Sequence, residues 1–335
     1  MLNIYYGRDC LNKDQFIFQQ IKGNTLLIVP DQFTLQAERD AFFYLQKEGL
    51  MDIEVLSISR LGTRVLDSVG GGMKPMINKQ GRHMLLTKIA REEDSKLQVY
   101  KGYKDNAAFI ELANNFLSEM KQYGTTPESL AEIIEAVEED TFLKRKLKDI
   151  LTLFDRYEQE IQGKYIDTED YINLFAGKLA DYKPLADATI WVYGFDYFTP
   201  KNLQVLGELM GAAKELNIVL TVHQGGRDED VFSIGKTMIS MLSAAAEERN
   251  IPVSLHAIGE EYTQERAEGL RTLEREIFAL PHETEADAQG ITLVRCANYY
   301  LEAESAAMKV LQLVREKNLR YRDIVLICND MEIRG

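Results

Sequence analysis

Cysteine is scarce in this chain of 335 residues. Cys10, Cys296 and Cys328 stand far apart, odd in number and without a CxxC pair. That excludes a disulfide framework and a zinc knuckle, and it points to a reducing compartment, the cytoplasm. Histidine is limited to His83, His223, His256 and His282, with no HExxH and no i, i+4 pair, so each reads as a core or surface residue. No uncharged apolar run approaches the roughly 18 residues of a bilayer crossing, so a water-soluble chain with no membrane contact is expected. The start Met-Leu-Asn-Ile-Tyr-Tyr has neither a basic region nor a long apolar one, and no secretory signal is expected there. Lys and Arg (39) are outnumbered by Asp and Glu (53), a net charge of −14. A surface coated in phosphate-binding cations is excluded, and any nucleic-acid site must be a local groove.

What remains is an ordinary globular balance of 45% hydrophobic and 27% charged residues. At about 150 residues per domain the length predicts two domains, or one α/β domain with a large insertion. Acid concentrates at Glu128, Glu132, Glu135, Glu138, Glu139 and Asp140 and again from Glu260 to Asp287. Both stretches read as solvated faces and loops, a partner's basic surface being the alternative.

The chain opens with an α/β rhythm. Asn3–Tyr6 is a short apolar run ending at Gly7, followed by a helical pattern from about Lys13 to Ile21. Thr25-Leu-Leu-Ile-Val-Pro30 is an aliphatic run stopped by proline, as in a strand buried on both faces of a parallel sheet. A helix over about Leu35–Glu48, a strand at Glu54–Ser59 and a helix at Arg60–Val69, closed by Gly70-Gly71-Gly72, complete three β–α units. Such units build a doubly wound parallel sheet. From about residue 78 to 179 apolar residues recur at spacings of three and four without a strand, which predicts an all-helical insertion. Phe142, Leu147, Ile150, Leu151, Phe154 and Ile161 mark one long helix beginning near Asp140. The sheet resumes with Ala188–Tyr193, Asn217–His223 and Val253–Ile258, interleaved with helices from Lys201, over Val231–Arg249 and near Gln264–Phe278. Pro281–Gln289 reads as a linker. Gly290–Cys296, a helix over Leu301–Lys317 and Asp323–Cys328 predict one more β–α–β unit, the start of a second domain; alternatively it completes the first sheet. The expected division is 1–77 with 180–285, an insertion at 78–179, and 286–335.

A first strand, a glycine loop and a helix is where a phosphate-binding loop sits. Gly7-Arg8-Asp9-Cys10-Leu11-Asn12-Lys13-Asp14 keeps the spacing of glycine to lysine. Asn12, however, replaces the second glycine, where a side chain intrudes on phosphate, and Asp14 replaces the magnesium-holding hydroxyl. Gly7, Arg8, Asn12, Lys13 and Asp14 therefore read as a degenerate nucleotide loop, with plain strand-to-helix punctuation as the alternative. The strand Ile190–Tyr193 ends in Gly194-Phe195-Asp196-Tyr197, without the acidic pair an NTPase uses to hold magnesium; Asp196 lies past the strand's expected end. Gly235-Lys236-Thr237 imitates the end of such a loop, but Asp230 stands at the first glycine position and no strand precedes it, so it reads as helix surface. No GxSxG elbow is present. Pro30–Thr34 and Ser57–Leu61 follow strands, where ligands bind in open α/β sheets. Their hydroxyls, amides and guanidinium beside apolar groups suit phosphate bonds and base stacking, helix capping being the plainer reading.

Taken in order, Val29-Pro-Asp-Gln-Phe-Thr34, Ser57-Ile-Ser-Arg-Leu61 with Arg64-Val-Leu66, Thr168-Glu-Asp-Tyr171, Gly194-Phe195 with Phe198-Thr-Pro200, and Arg320-Tyr-Arg-Asp-Ile324 form a distinctive set. With them the whole chain resembles the amino-terminal part of the AddB (RexB) family, the helicase-like subunit of bacterial AddAB helicase–nucleases in double-strand break repair by homologous recombination. The resemblance implies a RecA-like, superfamily 1 helicase-like α/β fold with a helical insertion and the start of a second motor-like domain. It also implies a heterodimer with an AddA-type motor subunit, and a nuclease with magnesium and an iron–sulfur cluster beyond Gly335. This segment is expected to be catalytically inactive and to hold no cofactor, ATP included. The degenerate loop, the missing acidic pair and Asn329, where relatives place an arginine, are three agreeing departures. The resemblance further implies a grip on single-stranded DNA that scans for a short Chi sequence, through Gln32, Thr34, Ile58, Arg60 and Phe195. Arg60 suits a phosphate or guanine edge, Gln32 an adenine edge, and Phe195 a stacked base, while Thr63 stands where a larger aromatic would add stacking. A scaffold for AddA without DNA contact, and an ATPase using Lys13, are the competing expectations.

Overall fold

The computed structural model describes residues 1–46, 52–71, 74–139, 141–281 and 288–328. Glu48, Gly72, Asp140, residues 282–287 of the expected linker and Asn329 lie outside the described residues. Two compact units divide the chain: residues 1–265 with 278–281, and residues 266–277 with 282–335.

In the first unit β1 (Leu2–Gly7), β2 (Thr25–Ile28), β3 (Ile53–Leu56), β4 (Thr189–Val192), β5 (Glu215–Thr221) and β6 (Val253–Ala257) form one sheet. Their order is β3-β2-β4-β5-β1-β6, and every pairing is parallel. Side chains alternate with the pleat. Leu2, Ile4, Leu26, Ile28, Ile190, Val192, Leu216 and Ile218 fill one core, and Leu27, Val29, Trp191 and Val219 a second core on the opposite face. Helices α1 (Lys13–Gln20) and α2 (Thr34–Leu45) cover the second core with Phe16, Ile17, Ala37 and Ala41. Helix α3 (Ile58–Val69) covers the first with Leu61 and Val65. The result is a three-layer α/β fold consistent with a RecA-like domain. Within the sheet Asn3 and Asn217 face each other in register, and Asn3 Nδ2 donates to Asn217 Oδ1 at 2.8 Å. A slip by one residue would bury both amides without partners.

The insertion forms α4 (Lys79–Glu93), α5 (Ala107–Gln122), α6 (Pro127–Ala136), α7 (Phe142–Ile161) and α8 (Thr168–Ala176). The first four enclose a core of their own around Ile89, Leu117, Ile150, Phe154 and Tyr157. Thr141 caps α7, and the expected stripe is buried at Ile150, Phe154 and Ile161 while Phe142 stays exposed. Helix α8 instead sends Phe175 and Ala176 into the core of the sheet. Helices α9 (Pro200–Ala212) and α10 (Ser233–Glu247) complete the layer over that core. Gly235-Lys236-Thr237 lies inside α10, as surface helix.

The second unit contains α11 (Glu268–Glu276) and α12 (Tyr299–Glu316). The strands expected at Gly290–Cys296 and Asp323–Cys328 do not form among the described residues, and neither run joins the six-stranded sheet. A strand exists through a ladder of hydrogen bonds to a neighbouring strand, and neither run is part of one among the described residues; Leu293 is 96% and Ile327 84% exposed. No helix among the described residues is long and apolar enough to cross a membrane.

Candidate nucleic-acid interface

The carboxyl edge of the sheet gathers the loops that follow β1, β2, β3 and β4. After β1 the chain folds on itself. The Leu11 N–H donates to Arg8 O (3.3 Å), Asn12 N–H to Tyr262 O (2.7 Å) and Lys13 N–H to Leu11 O (3.0 Å). Leu11 also bridges Thr263, and its side chain packs over Gly7, where a Cβ would lie 2.7 Å from Leu11 Cδ1. In a working loop those amides would face phosphate; here the chain's own carbonyls take them. Asn12 Oδ1 accepts from the Gln15 N–H (3.0 Å) as the cap of α1. Lys13 is buried, its Nζ donating to Thr221 Oγ1 at 3.1 Å. The Arg8 guanidinium pairs with Asp228, lies over the Phe232 ring, and holds the Asp228 carboxyl below the usual range.

Beside Lys13 a cavity of about 380 Å³ is lined by Asp9, Asp14, Asp40 and Asp196, with Phe33, Tyr193 and Phe195. Four carboxylates against one ammonium oppose a polyphosphate. Burial raises the Asp14 carboxyl above its ordinary value of 3.8, and Asp40 adds to the rise; Tyr193, which hydrogen-bonds Asp14 at 3.5 Å, is also raised by burial. A carboxyl raised by folding stabilises most while protonated, below its unfolded value, and loses that contribution as pH climbs through its folded value. Asp14→Asn is therefore expected to raise the unfolding temperature at pH 7, with the gain shrinking toward pH 4, as thermal melts at the two pH values would read.

The other candidate residues lie along three neighbouring strands, β3, β2 and β4, spaced about 4.8 Å apart. After β2 a single turn, Asp31–Phe33, leaves Gln32 exposed. Thr34 is buried at the start of α2, its hydroxyl donating to Asp31 O at 3.1 Å. After β3, Ser57 caps α3, its Oγ accepting from the Arg60 N–H at 3.3 Å. Ile58 turns inward, 8% exposed, into the core. Arg60 is exposed and has no ion-pair partner among the described residues. Ser59 Oγ donates to Asp31 Oδ1 at 2.7 Å, tying the two loops together. After β4, Gly194 adopts φ +82, and a Cβ there would sit 3.3 Å from Pro30 Cδ and 3.9 Å from Phe33 Cδ2. Phe195 is half-buried against Phe198, ring centroids 5.3 Å apart.

Gln32, Arg60 and Phe195 thus share one edge with accessible side chains, whereas Thr34 and Ile58 present only backbone. Thr34 and Ile58 cannot contribute side-chain contacts to DNA from these positions, because each begins a helix whose inward face is core. Sequence reasoning passed over Phe33, 45% exposed beside Phe195 in the same cavity wall. Its signal was an aromatic three residues after a strand-ending proline. Elsewhere, the carboxylates close enough to share a cation among the described residues are Glu158, Asp167 and Asp170. The Lys121 ammonium fills their centre, 2.6, 2.5 and 2.8 Å away respectively.

A family model described as "ADDB, N-terminal" matches residues 4–274. Three curated proteins, each named as a subunit of an ATP-dependent helicase/deoxyribonuclease, are similar over nearly the whole chain. That of Alkaliphilus oremlandii is 32% identical over 98% of the chain, and those of Acetivibrio thermocellus and Clostridium tetani are 31% identical over 99%. The chain spans 30% of the length of each of these relatives. The motifs carried by the sheet edge and the extent of these matches agree, and the chain belongs to the AddB amino-terminal family.

Proposed function

We propose that this chain is the inactivated-helicase region of an AddB-type subunit, and that it grips single-stranded DNA at the carboxyl edge of β3, β2 and β4 without hydrolysing ATP. The observation that carries this is the alignment of an exposed guanidinium (Arg60), an exposed amide (Gln32) and two aromatic faces (Phe33, Phe195) on adjacent strand ends. Arg60 holds phosphate and the rings stack bases, a combination that tolerates sequence and needs only a local groove on an acidic protein. The partner is an AddA-type subunit that supplies the motor, within a cytoplasmic helicase–nuclease acting in double-strand break repair and scanning for a Chi-type sequence. Residues 1–77 and 180–285 form the gripping domain, 78–179 the insertion, and 286–335 the opening of a second helicase-like domain.

Photo-crosslinking with bromodeoxyuridine-substituted oligonucleotides tests the location. Adducts on the peptides carrying Phe33 or Phe195 are expected, and adducts confined to other faces would overturn the assignment. Titration calorimetry with magnesium–ATP is expected to give no saturable heat. Saturable binding abolished by Lys13→Ala would instead favour a working nucleotide site. The net charge of −14 favours one competing reading, a scaffold that holds the motor subunit without touching DNA; it predicts no adducts at all.

A further inference from the structure

A brace connects the helical insertion to the candidate DNA edge. Lys121, in the last turn of α5 and 8% exposed, places its ammonium among Glu158 of α7 and Asp167 and Asp170 at the start of α8, and 5.8 Å from the centre of the Tyr157 ring. Asp167 is fully buried and does double duty: one oxygen meets Lys121, and the other caps α8 by accepting the Asp170 N–H at 2.9 Å. The start of α8 is thereby fixed at a single point. From there α8 runs against α3. The Tyr171 hydroxyl donates to Thr63 Oγ1 at 3.1 Å. Gly62 lets the rings of Phe175 and Tyr171 close on the helix, since a Cβ there would lie 2.7 Å from Phe175 Cδ1 and 3.0 Å from Tyr171 Cε1. On its other flank Asn173 Oδ1 accepts from Lys201 Nζ at 2.6 Å, on the helix that follows the Phe195 turn. Gly62 and Thr63 follow Arg60 by two and three residues in α3.

We infer that Lys121 is a positioning residue: by pinning the start of α8 it holds α3, and with it Arg60, in register with the rest of the edge. The part of this inference that concerns DNA rests on the proposed grip. Among the described residues the Lys121 ammonium is the cation that meets all three carboxylates, which come from two helices and a helix cap. Losing it frees α8 to shift, and mutations in such a contiguous packed network change coupling between sites by about 2- to 30-fold.

The test compares Lys121→Met, Lys121→Arg and Arg60→Ala in the full chain, by amide hydrogen exchange without DNA and by single-stranded DNA affinity. In Lys121→Met, exchange is expected to rise more in residues 167–176 and 58–64 than in β1, β4 and β5, whose protection falls only by the global loss of stability. DNA affinity is expected to fall by about 2- to 30-fold, with Lys121→Arg recovering part of both. Exchange at 58–64 that rises no more than in β1, β4 and β5 of folded Lys121→Met overturns the brace. So does unchanged affinity in Lys121→Met when Arg60→Ala does weaken binding. If Arg60→Ala has no effect, the DNA grip fails, and exchange alone still decides the brace. Should Lys121→Met not fold, Tyr171→Ala, which keeps the ionic cluster and removes the Tyr171 contacts to Gly62 and Thr63, is read in the same two ways.

Discussion

Replacing both Phe33 and Phe195 with alanine is expected to weaken single-stranded DNA binding by about 30-fold or more. Each ring that stacks on a base contributes about 1–3 kcal/mol. Two at the low end give about 2 kcal/mol, which is roughly that factor in affinity. The loss should be the same on oligonucleotides of different sequence, because every base offers a face to a ring. It should also persist at high salt, since no phosphate contact is removed. Phe33 is half in solvent, so its loss costs the fold little; Phe195 touches Phe198, and the double variant is expected to melt slightly lower while remaining folded. Affinity measured at two salt concentrations, beside a melting curve, separates these effects. Undiminished binding by the folded double variant would remove the stacking platform from the site.

Lys121→Met carries the largest expected cost to stability, about 3 kcal/mol, because it strands the fully buried Asp167 without its cation, while Glu158 and Asp170, partly in solvent, lose less. Burial already pushes the Glu158 and Asp170 carboxyls above their ordinary values while Lys121 opposes the rise, and burial with mutual repulsion is all that remains without it. A carboxyl raised by folding favours the folded state as pH falls through its folded value. The deficit of the variant should therefore be greatest at pH 8 and narrow toward pH 5, in denaturant titrations at both. A deficit that widened on acidification would mean the carboxylates are held by something other than the ammonium. A chain with both Glu158→Gln and Asp170→Asn added to Lys121→Met should regain part of the stability at pH 8.

The central strands of the sheet were legible because they are short, largely aliphatic runs bounded by glycine, proline or a polar turn, and the edge strand β6 because apolar and polar residues alternate after Pro252. Thr25–Val29 in particular alternates between two cores and has no solvated face, so it reads as continuous rather than amphipathic. The same signal misled at Gly290–Cys296 and Asp323–Cys328. Apolar composition specifies a wish for burial but not a ladder partner, and neither run finds one among the described residues. Helix α8 was counted with the insertion because its spacing is helical. Only packing reveals that Phe175 belongs to the core of the sheet. At the candidate site the family resemblance pointed to residues after three strands; the side chains of Arg60, Gln32 and Phe195 are accessible there, while the inward turn of Thr34 and Ile58 could not be read from the sequence. A residue opening a helix points either way, depending on how the helix lies on the sheet. The Lys121 cluster was invisible, since its members are separated by up to 49 residues and meet only where three helices converge.

Fluorescence anisotropy of a labelled single-stranded oligonucleotide at two salt concentrations tests most directly whether DNA is gripped at the carboxyl edge of β3, β2 and β4. The wild-type chain and Arg60→Ala would be compared, each alone and with the partner motor subunit. Saturable, salt-sensitive binding is expected. Arg60→Ala should weaken it and make it less steeply dependent on salt, by about one released counterion, as the loss of one phosphate contact requires. Equal affinity and equal salt slope for the two proteins, or no binding by either with the partner present, would contradict a grip at this edge and leave the scaffold reading in its place.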